Sequence, residues 1–416
     1  MAELMQSFFT LDSFDLRGKT VFLRLDINSP MNPMNGEILG GSRFKSHVDT
    51  INSLMDSRVV IVAHQSRPGK EDFTSLEKHA AYMKRVLGRD VKFVDALFGK
   101  VVNEAVKSMK VGEILMLENT RFYSEETEIP PTDIEAMESS HIVRNLEPLM
   151  DYYVIDAFPA IHRAQTTLVG FRRVKPNIAG RLIEKEITML DRFSVGKEHP
   201  KLAILAGSKI DDSIAVSKNF LDKGIVDAIL VGGVVANAFL WASGKKIGRK
   251  NTDFIIKNNK DHESLLKECS EILRKHGDKV IIMPMDFILS PSGRRISVED
   301  EVPDDELLAD IGVDSIVLFT QHIREAKAIF MNGPMGMYEM PAYSSGTFEV
   351  LNAISRSRAL RIAGGGHTLS AMEKLGMLNR IDHASTGGGA LISYLSGETM
   401  PVLQALSESR ALFNGN

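Results

Sequence analysis

The chain has 416 residues, 44% of them hydrophobic and 25% charged, and its formal net charge is −4 at pH 7. This composition is typical of a folded globular protein, and the length exceeds what one hydrophobic core usually organises, so we expect two domains. The small acidic net charge argues against nucleic-acid binding, and no run approaches the roughly 18 apolar residues of a membrane helix, so we expect neither kind of partner.

In the first half of the chain, short apolar runs alternate with amphipathic segments. The apolar runs predict strands at residues 21–25, 59–63, 92–94, 113–117 and 152–155. The spacing of apolar residues predicts helices at 46–57 and 76–87. Because the strands are apolar throughout and alternate with helices, they predict parallel sheets that are covered on both faces.

Polar and cationic residues follow these strands, at the edge where open α/β sheets bind their ligands. They are Asp26, Asn28, Arg43, His64, Arg67, Arg121 and Arg163. Guanidinium groups offer planar pairs of donors that match phosphate and carboxylate oxygens. Any one of these arginines is more often a solvated surface charge, but the set predicts a binding site for a small, multiply anionic ligand.

A change of composition in the middle of the chain predicts a domain boundary. Residues 171–177 contain two arginines, a lysine and Pro176, and residues 178–193 have the spacing of a single helix. We therefore expect a seam at 171–177, followed by a helix that joins two domains.

The second half combines predicted strands with glycine turns. Apolar runs predict strands at residues 202–205, 228–231, 280–283, 328–330 and 360–362, with a shorter run at 381–384 and a helix at 213–223. Glycines follow five of these runs, at Gly207, Gly232-Gly233, Gly333, Gly364-Gly365-Gly366 and Gly387-Gly388-Gly389.

These glycine turns predict a phosphate site. A strand that ends at glycines and restarts as a helix exposes backbone N–H groups and the positive end of the helix dipole, which together bind phosphate. A lone triplet is as often a tight corner, but two in tandem favour a nucleotide site, with Lys209 as the cation placed among the turns. Neither G-x-x-x-x-G-K-[ST] nor G-x-G-x-x-G occurs, which excludes a P-loop of that class and the dinucleotide fingerprint. An anion-binding half and a nucleotide-binding half together predict a phosphoryl-transfer enzyme.

Seven motifs occur in order along residues 20–400. They are Leu25-Asp26-Ile27-Asn28, Ser66-Arg67-Pro68, Leu117-Glu118-Asn119-Thr120-Arg121-Phe122, Asp156-Ala157-Phe158 with His162-Arg163-Ala164, Ala206-Gly207-Ser208-Lys209, Asn332-Gly333-Pro334-Met335-Gly336 and Ser385-Thr386-Gly387-Gly388-Gly389-Ala390. In sequence and order, this set closely resembles the motifs of the phosphoglycerate kinase family.

The resemblance implies an activity and a fold. The activity is reversible phosphoryl transfer between 1,3-bisphosphoglycerate and ADP, giving 3-phosphoglycerate and ATP, with Mg²⁺ accompanying the nucleotide. The fold is α/β, with two Rossmann-like domains, each a parallel β-sheet flanked by helices, joined by a hinge helix. Residues 1–175 with the tail 400–416 are expected to bind phosphoglycerate, and residues 176–399 to bind the nucleotide. Because the ligands bind to different domains, we expect hinge closure to bring them together.

The resemblance also assigns site residues by motif position. The glycerate site comprises Asp26, Asn28, Arg43, His64, Arg67, Arg121 and Arg163. The nucleotide site comprises Gly207, Lys209, Asn332, Glu339, Gly364, Gly365, Gly366, His367 and Thr368. Since phosphoryl transfer needs alignment and charge neutralisation, we expect Arg43 and Lys209 to stabilise the transferring group. The backbone N–H groups of Gly366 and Gly389 are expected to assist them.

Three positions depart from the family's usual pattern, in a way that is similar to its archaeal branch. His367 stands where the family has a magnesium-linked aspartate, Ser213 where it has a second lysine, and Gln165 where it has a second histidine. Imidazole is a poor ligand for a hard cation that prefers oxygen. The metal ligand is therefore open: either phosphates and water hold the magnesium, or Asp211 or Asp212 takes over.

Other functions remain open at this point. His367 and Ser213 suggest a catalytically weak protein that binds nucleotide and phosphoglycerate on the same fold. An oxidoreductase is remote, because the dinucleotide fingerprint is missing. The single cysteine, Cys269, and the absence of a signal-peptide pattern favour a cytoplasmic protein, which we expect to be a monomer or a homodimer that binds small-molecule substrates.

Overall fold

The computed structural model describes residues 7–414, and the chain folds into two compact units. Unit 1 consists of two segments of the chain, one up to Thr188 and one from Thr399 onward. Unit 2 is the segment between them, Met189–Glu398. The division lies inside one helix, later in the chain than the predicted boundary at residue 175. Each unit contains its own parallel sheet.

Unit 1 is built on a seven-stranded sheet in which every pairing is parallel. Its strands are β1 (Phe9–Thr10), β2 (Thr20–Arg24), β3 (Arg58–Val62), β4 (Lys92–Phe93), β5 (Ile114–Met116), β6 (Tyr152–Ile155) and β7 (Asn177–Ala179). The spatial order is β1-β7-β6-β2-β3-β5-β4. All residues of β2 and β5 are buried, because the sheet is covered on both faces.

Helices and short 3₁₀ turns connect these strands. The α-helices are α1 (Ser42–Ser46), α2 (Val48–Ser53), α3 (Glu77–Leu87), α4 (Lys100–Ser108), α5 (Ile134–Glu138), α6 (His141–Leu146), α7 (Thr166–Val169) and α8 (Arg181–Val195). The 3₁₀ turns are Leu11–Ser13, Thr120–Phe122, Ser124–Glu126, Glu147–Leu149 and Phe158–Ala160. The units divide within α8.

Unit 2 contains a six-stranded parallel sheet and a small antiparallel sheet. The parallel strands are β8 (Lys201–Leu205), β9 (Ala228–Val231), β10 (Ile281–Ile282), β14 (Ala328–Asn332), β15 (Leu360–Gly364) and β16 (His383–Ala384), in the spatial order β10-β9-β8-β14-β15-β16. The antiparallel strands are β11 (Asp286–Ser290), β12 (Arg295–Ser297) and β13 (Leu307–Ile311), in the order β12-β11-β13.

The remaining helices follow the strands of unit 2 and the end of the chain. They are α9 (Ile210–Asp222), α10 (Gly233–Ala242), α11 (Arg249–Asn258), α12 (His262–His276), α13 (Val313–Glu325), α14 (Ser345–Arg356), α15 (Gly366–Lys374), α16 (Gly388–Leu395) and α17 (Pro401–Phe413), with 3₁₀ turns at Pro341–Tyr343 and Leu378–Arg380. The last helix packs in unit 1, where the Ser409 hydroxyl accepts the N–H of Asn177 at 2.8 Å. No helix within residues 7–414 is long and apolar enough to cross a membrane.

The predicted strands are confirmed, with ends within two residues of the prediction. The antiparallel sheet and strands β1 and β7 were not predicted, because they are short or carry charged residues among the apolar ones. The predicted helix at 46–57 corresponds to α2, which begins later, at Val48, because residue 46 ends α1, and ends earlier, at Ser53, since the chain turns there to enter β3.

The segment expected as a seam, 171–177, lies inside unit 1. Phe171 is buried and its ring stacks on Tyr153, with centroids 4.3 Å apart, and β7 begins at Asn177. The cationic residues of this segment bind acidic side chains of the same unit, as in the pair of Lys175 with Glu147 at 2.9 Å. They cover the surface of a folded domain and do not form an exposed linker.

Candidate active site

Each parallel sheet has one position at which its strand order reverses direction. Residues of the predicted sites follow the strands next to that position. In unit 1 the switch lies between β2 and β6, and in unit 2 it lies between β8 and β14. Ligands of open α/β sheets bind outside the carboxyl ends of the strands at such a switch. Asp26 follows β2, and Gly207 and Gly333 follow β8 and β14.

In unit 1, Asp26 is the centre of the predicted anion-binding residues. Its Oδ1 atom accepts the Arg43 guanidinium at 2.7 Å and the backbone N–H of Asn28 at 3.1 Å. Burial alone would raise the pKa of Asp26, but nearby positive charges, including those of Arg43 and Arg24, lower it to about 2. Asp26 is therefore ionised at neutral pH and holds Arg43 in place, while about a third of the Arg43 side chain stays exposed.

His64 is completely buried beside Arg24, a residue that sequence reasoning did not assign to the site. The Arg24 guanidinium donates to His64 Nδ1 at 2.9 Å, which leaves the ring hydrogen on Nε2. Burial and the positive charges of Arg24 and Arg121 hold the pKa of His64 well below its ordinary value, so the ring is neutral. Its Nε2 atom is buried, and no residue in the described part of the chain accepts its hydrogen.

Arg121 and Arg163 lie close enough to Asp26 for its negative charge to raise their pKa values. Burial, then the positive charges of Arg163 and Arg24, lower the pKa of Arg121 to about 10. Burial also lowers the pKa of Arg163, in part opposed by Asp26. Both guanidinium groups stay charged at neutral pH, and their mutual repulsion would be relieved by a bound anion.

The loop after β3 ties these residues together. Ser66 has a left-handed backbone, with φ of 55°, and it is the one non-glycine residue with positive φ among those described. Its N–H donates to Asn28 Oδ1 at 3.0 Å, and its carbonyl oxygen accepts the Arg121 guanidinium. Backbone strain of this kind concentrates at functional sites. Arg67, the next residue, is exposed and joins none of these contacts.

In unit 2, both glycine triplets mark a strand-to-helix break, as predicted. β15 ends at Gly364 and α15 begins at Gly366, while α16 begins at Gly388. Gly365 has φ of +82°, and a Cβ there would lie 2.4 Å from Asn332 Oδ1, so a larger residue would strain the backbone and displace the Asn332 side chain. The Thr368 hydroxyl accepts the Gly333 N–H at 2.7 Å, which holds the loop after β14 against α15. Gly389 is exposed in the first turn of α16.

A cavity of about 320 Å³ opens beside these turns. Three predicted nucleotide-site residues line it: Gly207, Glu339 and His367. His367 Nδ1 lies 3.5 Å from Glu339 Oε1, and both side chains are largely exposed. The cavity is also lined by residues that the sequence did not point to, because they come from α10, α11 and the unpredicted strand β13: Asn237, Asn251, Phe254, Leu307 and Leu308.

An adjoining cavity of about 420 Å³ contains the predicted cation. Lys209 precedes α9, and its side chain is 78% exposed, with Nζ 3.7 Å from Asp212 Oδ2. Asp211 and Asp212 lie in the first turn of α9 and line the same cavity. Burial raises the pKa of Asp212 although Lys209 opposes this effect. A cation would stabilise its ionised form.

A buried carboxylate at the end of β13 supports the cavity wall. Asp310 accepts the N–H groups of Ile311 at 3.0 Å and Gly346 at 2.7 Å. The neighbouring Ala309 carbonyl accepts the N–H of Met337 at 2.8 Å, in the loop that leads to Glu339. Burial raises the pKa of Asp310 to about 7, although its two backbone hydrogen bonds act in the opposite direction.

We expect the stability of the protein to depend on pH through Asp310. Between about pH 4 and 7 the folded state binds this proton and the unfolded state does not, so the free energy of unfolding falls as pH rises, by at most about 1.4 kcal/mol per pH unit. In Asp310→Asn this contribution to the slope should disappear, although the loss of one acceptor lowers stability at every pH. Urea unfolding of both proteins at several pH values measures the difference, and equal slopes would contradict it.

Comparison with known proteins gives one consistent result. A family model described as phosphoglycerate kinase matches residues 11–398. A phosphoglycerate kinase of Thermoplasma volcanium is 65% identical over 409 residues, which cover 98% of this chain and 100% of that protein. The phosphoglycerate kinase of Thermoplasma acidophilum is 64% identical over 411 residues, which cover 99% of this chain and 100% of that protein.

Solved structures agree with the sequence comparisons. The crystal structure of phosphoglycerate kinase from Pyrococcus horikoshii OT3 matches with a TM-score of 0.87 and 39% identity, over 97% of this chain and 100% of that chain. The structure of phosphoglycerate kinase from Coxiella burnetii matches with a TM-score of 0.79 and 27% identity, over 96% of this chain and 98% of that chain.

Proposed function

The chain belongs to the phosphoglycerate kinase family, and from this premise we propose which of its side chains perform the reaction. Its activity is reversible phosphoryl transfer between 1,3-bisphosphoglycerate and ADP, giving 3-phosphoglycerate and ATP, with the carboxyl group of 3-phosphoglycerate as acceptor. The comparisons favour this activity over a catalytically weak binding protein.

Unit 1 is proposed to bind the phosphoglycerate. The observation that supports this assignment is the convergence of Arg43, Arg121, Arg163 and the neutral donor His64 near Asp26. Guanidinium groups that repel one another across a small space are suited to a ligand with separate phosphate and carboxylate charges. The proposed phosphoglycerate site also includes Asn28 and the exposed Arg67.

Unit 2 is proposed to bind ATP or ADP. The cavity beside Gly207 would receive the nucleoside, with Glu339 at its rim. The phosphates would lie against the N-terminal ends of α9, α15 and α16, where backbone N–H groups have no partner within their helices. Lys209, Asn332 and residues 364–368 belong to this proposed phosphate region.

The proposed chemistry needs no general base, because a carboxylate or acyl-phosphate oxygen is already a competent nucleophile or leaving group. Arg43 and Lys209 are proposed to neutralise the charge of the transferring phosphoryl group, helped by the N–H groups of Gly366 and Gly389. His64, which is neutral, orients the substrate through Nε2. Hinge closure, expected from the sequence, stays a prediction.

The residues present fit a magnesium ion held mainly by the nucleotide. Mg²⁺ is usually bound through one or two carboxylates together with phosphates and water. No group of three or more His, Cys, Asp or Glu side chains suited to a metal occurs between residues 7 and 414, but Asp211 and Asp212 line the cavity of Lys209. We propose that one or both of them contact the ion, which would neutralise phosphate charge during transfer.

Replacing His367 by aspartate is expected to preserve activity. The His367 side chain is 75% exposed, with Nδ1 3.5 Å from Glu339 Oε1 and its ring in a T-shaped contact with the buried Tyr338 ring, so an aspartate there removes one ring contact and little buried surface. An additional carboxylate should lower the magnesium concentration that gives half-maximal rate. Steady-state kinetics at varied magnesium measure this change. Loss of turnover in a variant that unfolds at the same temperature would show that the imidazole has a role of its own.

A coupled assay with 3-phosphoglycerate, ATP and magnesium tests the activity directly. Turnover must depend on all three components. Calorimetry that shows binding of nucleotide and phosphoglycerate without turnover would instead support the weak binding protein. A cytoplasmic location and a monomeric or homodimeric state belong to the same proposal, and size-exclusion chromatography with light scattering measures the latter.

A further inference from the structure

Ser66 adopts a backbone conformation that costs free energy for a residue with a Cβ atom. Its φ of 55° lies in the left-handed region. The residue is 9% exposed, its N–H donates to Asn28 Oδ1 at 3.0 Å, and its carbonyl oxygen accepts the Arg121 guanidinium. Asn28 and Arg121 both belong to the proposed phosphoglycerate site. A change in the Ser66 backbone would therefore remove contacts of two members of that site.

A carboxylate six residues later contacts the Ser66 side chain. The Ser66 hydroxyl donates a hydrogen bond to Asp72 Oδ1. Asp72 is half-buried, and the sequence motifs did not include it. A hydrogen bond to a charged acceptor is stronger than one between neutral groups, so this contact can offset the cost of the left-handed backbone.

The two ends of the loop at residues 65–72 are also joined by bonds that do not use this contact. Gln65 is completely buried, and its Nε2 atom donates to the carbonyl oxygens of Ser29 at 3.0 Å and Asp72 at 3.2 Å. A further contact of Nε2, with Asp72 Oδ2, is longer, at 3.5 Å. The N–H of Gln65 donates to Asn119 Oδ1 at 3.2 Å. Loss of the Asp72 carboxylate would therefore leave the loop attached and change the conformation inside it.

We propose that Asp72 is a positioning residue for the bound phosphoglycerate, which acts through the Ser66 hydroxyl and keeps the Ser66 backbone in contact with Asn28 and Arg121. The inference rests on the proposed binding of phosphoglycerate by unit 1. The direct electrostatic effect of Asp72 has the opposite sign, because a negative charge near an anion site weakens binding. An acidic side chain at this place therefore favours binding only through the backbone that it holds.

Calorimetry with 3-phosphoglycerate on the full-length protein tests the inference. In Asp72→Ala and in Ser66→Ala the affinity should fall about tenfold, as expected for the loss of one hydrogen bond to a charged group. The double variant should bind no more weakly than either single variant, since both changes remove the same bond. The affinity for ADP, which is proposed to bind to unit 2, should stay within about twofold of that of the unchanged protein.

Glycine at position 66 separates the backbone conformation from the hydroxyl group. Ser66→Gly lacks the hydroxyl, as Ser66→Ala does, but glycine adopts a positive φ readily, so its affinity should stay within about threefold of that of the unchanged protein. Adding Asp72→Ala to Ser66→Gly should cause no further loss. Glu71→Ala removes an exposed negative charge next to Asp72 and is the control for charge, and it should bind 3-phosphoglycerate equally or more tightly.

An unchanged affinity in Asp72→Ala, or a loss in Ser66→Gly as large as in Ser66→Ala, would overturn the inference. A crystal structure of unliganded Asp72→Ala gives a readout that needs no activity, because φ of Ser66 should leave the left-handed region and its contact with Arg121 should be lost. If binding follows these expectations but no phosphoryl transfer occurs, the proposed function fails and the inference stands. If transfer occurs while Asp72→Ala binds 3-phosphoglycerate as the unchanged protein does, the inference fails and the proposed function stands.

Discussion

Replacing Arg43 by alanine should lower kcat by roughly 100-fold, which corresponds to about 3 kcal/mol of transition-state stabilisation. Arg43 is held by Asp26 at 2.7 Å, so its guanidinium is positioned before the substrate binds. We place this charge on the transferring phosphoryl group, and the apparent affinity for 3-phosphoglycerate should therefore change less than kcat. Steady-state kinetics with varied 3-phosphoglycerate separate the two effects.

Lys45→Ala is the control for Arg43→Ala. Lys45 lies on the same short helix, α1, and is exposed, so this variant removes a positive charge without touching Asp26. Its kcat should match that of the unchanged protein. The assignment of Arg43 is wrong if Arg43→Ala keeps a kcat within about twofold of the unchanged protein.

Replacing Arg24 by methionine should reduce the free energy of unfolding by about 3–5 kcal/mol. Arg24 and Glu126 are both completely buried, with 3.6 Å between the guanidinium NH2 and the Glu126 carboxylate. The same guanidinium also donates to the Thr167 hydroxyl and to His64. Without it, the buried Glu126 carboxylate keeps its hydrogen bonds from Thr120 and Thr167 but loses its ion-pair partner in the core. Urea unfolding at neutral pH measures the loss.

A second substitution distinguishes loss of charge compensation from loss of packing. In Arg24→Met combined with Glu126→Gln, the buried charge is absent, so much of the lost stability should return. Arg17→Met, which breaks an exposed pair with Asp15, should leave unfolding unchanged. If the double variant is no more stable than Arg24→Met, the destabilisation does not come from the uncompensated carboxylate.

The sequence was sufficient for features that depend on neighbouring residues. Apolar and β-branched residues predicted buried strands at 59–63 and 228–231. Both strands are present in the structure. The glycine triplets predicted strand-to-helix breaks from local sequence, and at one of their positions, Gly365, the φ of +82° is a backbone conformation that favours glycine. The motif order indicated the family, which the comparisons support.

Other features depend on residues far apart in the chain, and only the tertiary structure decides them. The sequence shows Arg24 as one charged residue in an apolar strand. It does not predict that Arg24 contacts Glu126 and His64 in the core. The cavity wall of unit 2 includes Leu307, from an antiparallel sheet whose short strands were not predicted. Asn237 looks like an ordinary polar interruption of an apolar helix until its burial is known. Local propensity and periodicity describe which element a segment forms, whereas burial, pairing and pKa are set by the groups that packing brings against it.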